Sequence, residues 1–87
     1  MKIKKGLVLK EVAGNYIVVP TGGLVKEFNG VANLNSTSAF LWENCIDTVD
    51  KEKLVSLLIK EYDVKEEVAV KGVEKFIEML KKEGFVD

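Results

Sequence analysis

Asn33-Leu34-Asn35-Ser36-Thr37-Ser38-Ala39-Phe40-Leu41-Trp42-Glu43 is the stretch on which the chain changes period. Ahead of it the apolar residues alternate or stand in short β-branched blocks. Beyond it they recur at spacings of three and four, the period of an amphipathic helix. The stretch therefore reads as a strand running directly into a helix. Asn35 or Ser36 supplies the side-chain oxygen that the free N–H groups of a helix start require, and Ala39, Phe40 and Trp42 form its first apolar face.

Toward the N-terminus, Leu7 to Val12 and Tyr16 to Val19 are strand-like and flank Ala13-Gly14-Asn15, which predicts a hairpin. Pro20 lacks the N–H that a ladder needs and ends the second strand, and Thr21-Gly22-Gly23 lets the chain turn. Leu24 to Phe28 is expected to be extended, with a second turn at Asn29-Gly30. Val31-Ala32-Asn33-Leu34 then completes a small antiparallel sheet.

Toward the C-terminus, the first helix is expected over Ser36 to about Cys45. Asp47-Thr48 fills the gap to a second helix that starts near Val49 or Asp50, capped by Thr48 or Asp50. Leu54, Leu57, Leu58 and Tyr62 fall on one of its faces, while Lys51, Lys53, Lys60 and Glu61 face water. Asp63-Val64 breaks the helical run. A third helix begins near Lys65, with Glu66 and Glu67 in its first turn and Lys81 and Lys82 in its last, the charge order that the helix dipole favours, and Gly84 stops it. Ala69, Val73, Phe76 and Leu80 make one stripe with Val70 and Ile77 beside it, an apolar face wider than one core contact uses. Gly72 in mid-helix costs about 1 kcal/mol relative to alanine, which predicts close packing or a kink. Phe85 and Val86 are expected to fold back on the domain. The fold class is α+β, winged helix-turn-helix-like: one domain over residues 1–87, with strands at about 7–34 and helices at about 36–84.

Composition narrows the function. Eighty-seven residues suffice for one core, and the 47% apolar and 31% charged shares are those of a folded soluble chain. No apolar run approaches the ~20 residues that span a bilayer. Lys10-Glu11 interrupts the apolar run after Lys2, Lys4 and Lys5 too early for a signal peptide, so a cytoplasmic location is expected. Cys45 is the single cysteine and there is no histidine, which leaves neither an internal disulfide nor a zinc set; a small core residue is the reading for Cys45. All thirteen basic residues are lysines and the net charge is −1, so the arginine fork that reads phosphate and guanine is missing and nucleic acid is not an expected partner. Gly22-Gly23 lacks the lysine and Ser/Thr of a phosphate-binding loop. Carboxylates such as Glu74 and Glu78 stand near lysines at helical spacing, as solvated pairs do. No catalytic residue, cofactor site or metal site emerges, and the chain reads as a binding protein rather than an enzyme. A sheet edge beside a helix with surplus apolar surface favours an extended peptide that adds a strand and drops alternate side chains into the groove.

Several segments taken in order resemble the PqqD family: Tyr16-Ile17-Val18-Val19-Pro20 with Thr21-Gly22, Phe28-Asn29-Gly30-Val31, Leu34-Asn35 with Ala39-Phe40-Leu41-Trp42-Glu43, Leu54 through Glu61-Tyr62-Asp63-Val64, and the closing Val73 to Val86. The resemblance implies a precursor-peptide recognition element of ribosomal natural-product pathways, a peptide chaperone. It implies a leader segment bound antiparallel to the third strand, beside the third helix, and presented to a radical S-adenosylmethionine enzyme. On this chain the strand is Val31, Ala32, Asn33 and Leu34, and the implied helix face is Val70, Val73, Glu74, Ile77 and Lys81. Val70, Val73 and Ile77 would receive apolar leader residues, with Glu74 and Lys81 selecting charge at the rim. Gly72 departs from similar sequences, which often carry an acidic residue there. Two other classes stand as alternatives: a winged helix DNA-binding regulator, which needs a basic helix face, and a structural dimerisation module, a homodimer formed through the same sheet edge.

Overall fold

The computed structural model describes residues 1–28, 30–46 and 48–87; Asn29 of the expected second turn and Asp47 of the gap between helices lie outside the described residues. Strands β1 (Leu7–Val12) and β2 (Asn15–Pro20) pair antiparallel from Val12↔Asn15 to Leu7↔Pro20, leaving only Ala13 and Gly14 in the turn. Both have positive φ, 51° and 82°. That backbone matches the right-handed twist of the strands it joins, as a type I′ hairpin requires. Strand β3 (Ala32–Leu34) pairs with β2 through Tyr16↔Leu34, Ile17↔Asn33 and Val18↔Ala32, and among the described residues the order β1-β2-β3 leaves the far edge of β3 without a strand. Val31, expected as its first residue, precedes the ladder next to Gly30, where a φ of 88° still turns the chain.

The expectation of an extended Leu24–Phe28 is corrected. Gly22–Val25 is a 3-10 turn, in which the Leu24 amide donates to the Thr21 carbonyl at 3.1 Å and the amides of Glu27 and Phe28 each donate to the Leu24 carbonyl at 3.0 Å. Winding brings Leu24 and Phe28 onto one patch of core; extended, they would stand about 13 Å apart. Gly6 ties down the start of this turn. Its carbonyl accepts from both the Thr21 amide (2.8 Å) and the Thr21 hydroxyl (2.7 Å). With a φ of 100° and the Thr21 carbonyl 3.3 Å from where a Cβ would sit, only glycine fits without strain.

Helix α1 (Ser36–Glu43) is capped by Asn35, whose Oδ1 accepts the Ser38 N–H at 2.7 Å. It ends short of Cys45 because Asn44 takes the Phe40 carbonyl with its side-chain amide at 2.8 Å, while its backbone N–H turns to the nearer Leu41 (3.1 Å) and Trp42 carbonyls. Helix α2 (Lys51–Tyr62) is capped by Asp50 through the Lys53 N–H, while Thr48 donates instead to the Met1 carbonyl. Asp63, at φ 49°, turns the chain out of it into α3 (Glu66–Lys82).

The helices gather on one face of the sheet. Leu7 and Val18 meet Leu41 and Trp42 of α1, Leu54 and Leu58 of α2, and Ala69, Val73, Phe76 and Leu80 of α3 in a single buried cluster. Gly72 lies against the Leu58 side chain, 3.4 Å from where a Cβ would sit, the close α2–α3 approach that a mid-helix glycine predicts. Phe85 folds back as expected and stacks edge-on to Trp42 at 5.8 Å, with Phe28 tilted against it at 5.5 Å. Val86 bridges Ile3, and the Lys4 amide donates to the Phe85 carbonyl at 2.8 Å, joining the two ends of the chain. The opposite face of the sheet leaves Val8 and Val12 exposed.

Candidate functional site

The free edge of β3 overlooks a cavity of about 340 Å³. Val31, Ala32 and Asn33 line it from the strand side, and Met79 and Glu83 line it from the last turns of α3. Leu7, Val18, Phe28 and Phe85 make its apolar floor, with Glu27 at the rim. The hairpin and the 3-10 turn set the floor, and the α2–α3 packing fixes the height of the wall. The edge of the sheet that no other described strand pairs therefore borders a hollow of side-chain size. This is the geometry that accepts an added strand and one of its side chains.

The residues expected for the site divide among four places. Val31, Ala32 and Asn33 are together at the cavity, and Leu34 continues the same strand, half-buried and paired with Tyr16. Val73 has no exposed surface and belongs to the core. Ile77 and Lys81 line a separate depression with Met1, Val49, Lys51, Glu74 and Glu78, and Val70 lines a third with Glu66, Glu67, Lys71 and Glu74. The Glu74 carboxylate is engaged by Lys51 of α2 at 2.9 Å. The division follows from helical geometry: at about 100° per residue, Ile77 and Met79 stand on opposite sides of the core-facing Phe76. The flank turned to β3 is thus the one carrying Met79 and Glu83. Earlier on the same side of α3, Gly72 packs on Leu58 of α2, so only the C-terminal part of this flank lines the cavity. Met79 and Glu83 were legible as a second flank, three and seven residues after Phe76, but the apolar bias of Val70 and Ile77 draws attention to the other side.

Few groups have altered chemistry. Burial pushes the Cys45 thiol up to about 11, and its Sγ lies 3.4 Å from the Trp42 carbonyl, so it is a protonated core residue at neutral pH. The ion pairs Lys4–Glu27 (2.8 Å) and Lys51–Glu74 (2.9 Å) lie at the surface. Among the described residues no helix is long and apolar enough to cross a membrane.

The chain matches the family described as Coenzyme PQQ synthesis protein D (PqqD) over residues 9–86. Comparison with curated proteins and with solved structures gave no match. The matched span holds β2, β3, all three helices and every wall of the cavity except Leu7. By that near-complete match, and by a three-stranded sheet followed by three helices, the chain belongs to the PqqD family, accessory proteins in the making of coenzyme PQQ and ribosomal peptide products.

Proposed function

We propose that this protein binds the leader segment of a ribosomally made precursor peptide as a fourth, antiparallel strand on β3, and presents the rest of that peptide to a modifying enzyme, a radical S-adenosylmethionine maturase. The observation that carries this reading is the juxtaposition of the free β3 edge with the cavity between Val31 and Met79. Backbone groups of Ala32 to Leu34 supply hydrogen bonds that any extended peptide can meet. The cavity supplies selectivity, because alternate side chains of an added strand point to one face. The protein acts as a non-catalytic peptide chaperone in the cytoplasm, where the precursor is translated, and the chemistry belongs to the enzyme.

Delivery accounts for the use of a catalyst-free domain. Once the leader is docked, the core peptide meets the enzyme at an effective concentration that reaches the millimolar range for short flexible tethers. The leader, disordered when free, gives up conformational entropy on pairing, so moderate affinity is expected. A DNA-binding role has no support in a chain without arginine and with a net charge of −1.

Calorimetric titration with the candidate precursor encoded nearby, run beside the same peptide lacking its leader, tests the reading. Saturable binding that vanishes with the leader supports it. Equal binding of both peptides, or of neither, rejects it. Sedimentation over a range of concentrations separates this from self-pairing through β3, which predicts dimer in the absence of peptide.

A further inference from the structure

The cavity beside β3 has an apolar floor but a charged rim, and that combination narrows what it holds. Glu83 is the C-cap residue of α3, where the last carbonyls of a 17-residue helix add partial negative charge. Among the described residues, Glu83 has no ion-pair partner. The other carboxylate of the rim, Glu27, is already engaged from a neighbouring depression that Lys4 lines. The Lys4 ammonium donates to Glu27 Oε1 at 2.8 Å and lies 5.7 Å from the centre of the Phe28 ring, a cation held jointly by a carboxylate and an aromatic face. Lys81 and Lys82, in the last turn of α3, are exposed and do not line the cavity; Lys81 lines the depression on the opposite flank.

Resting on the strand-addition reading, we infer that this cavity is a subsite for a basic side chain of the bound leader, a lysine or arginine whose aliphatic stem covers Met79 and whose charged head pairs with Glu83. A purely apolar side chain fills the floor and leaves Glu83 without a partner. An acidic one meets Glu83 with like charge, Glu27 being neutralised by Lys4. A long cationic side chain satisfies both parts, because its methylene stem behaves as apolar surface while its head stays at the wet rim. Glu83 is thereby the specificity-determining residue of the cleft.

Selection of a phage-displayed library of extended dodecapeptides against the wild-type protein and against Glu83→Lys tests the assignment. The exposed helix-end position leaves the fold intact, checked by thermal melting. Wild-type selection is expected to enrich Lys or Arg at one fixed position, and Glu83→Lys to enrich Asp or Glu there. A synthetic selected peptide with that base replaced by norleucine is expected to bind the wild type about three- to fivefold more weakly, the scale of a rim-exposed ion pair, and to bind Glu83→Gln as well as its parent does. Enriched peptides with no basic position, or a norleucine penalty unchanged in Glu83→Gln, overturn the subsite and leave strand addition standing. No enrichment from either protein overturns strand addition, and the subsite with it.

Discussion

Val31 and Met79 line one cavity from opposite sides, Val31 from the free strand edge and Met79 from α3, whereas Ile77, two residues before Met79, lines a different depression with Met1 and Val49. The Met79 flank of α3 shares a cavity with β3, and the Ile77 flank lines another. A helix with apolar residues on both flanks of its core stripe offers two grooves, and its packing on α2 and the sheet decides which of them borders the sheet.

This relationship gives a paired test of the cleft. Met79→Asp places a charge on the helix wall of the cavity and is expected to weaken leader binding by tenfold or more, about 1.4 kcal/mol. Ile77→Asp, on the other flank, is expected to leave affinity within about twofold of wild type. Calorimetry on both variants, with circular dichroism to confirm the fold, reads the difference. The reverse ranking would move the peptide to the Met1 side of α3.

Asn35 joins β3 to α1 and is the cap on which the geometry of that junction depends. Asn35→Ala is expected to lower unfolding free energy by about 1 kcal/mol in urea denaturation. Asn33→Ala, two residues earlier on the exposed face of β3, should change it by less than about 0.5 kcal/mol.

Ala13 spends its φ of 51° in the left-handed region, which costs an L side chain roughly 1 kcal/mol. Ala13→Gly relieves that strain, and Ala13→Asn gives the Asn-Gly pair that type I′ turns favour. Either is expected to raise the melting temperature by a few degrees, net of the added unfolded-state entropy in the glycine variant. No rise in either variant would contradict the assigned turn geometry.

The buried Cys45 thiol gives stability a dependence on alkaline pH. Burial lifts its pKa from 9.0 to about 11 in the folded protein. Below about pH 9 both states keep the proton and the full stability is present. Between about 9 and 11 the unfolded chain releases it while the folded chain does not, so stability falls as pH rises, by up to about 1.4 kcal/mol per pH unit. The difference between wild type and Cys45→Ala, followed from pH 7 to 11, isolates the thiol from the rest of the chain. That difference should shrink as pH rises, and a flat difference would show that the thiol is solvated in the folded state.

The hairpin, the strand-to-helix junction at Asn35, the three helices and the return of Phe85 were all legible in the sequence, because each has a local signal: a two-residue turn, a side-chain cap, a helical period or a terminal glycine. Leu24–Phe28 was not, since five residues are too few for a period to distinguish a strand from a wound turn, and the decisive hydrogen bonds run back to Thr21. The strand that lines the cavity was legible for the same local reasons as the hairpin. The flank of α3 that lines it was not. A wheel drawn for α3 identifies two apolar flanks but carries no information on which one the sheet occupies. That choice is made by the packing of α2 on α3, with Leu58 against Gly72, a tertiary relationship.

The most direct measurement is an amide NMR titration of labelled protein with the leader peptide, followed by cross-strand NOEs and hydrogen exchange in the complex. Strand addition predicts shifts concentrated at Ala32, Asn33, Leu34 and Met79, slowed exchange on the free side of β3, and NOEs between β3 and peptide backbone protons. Saturable binding with shifts confined to Met1, Ile77 and Lys81, and with no contacts between peptide and β3 backbones, would contradict it.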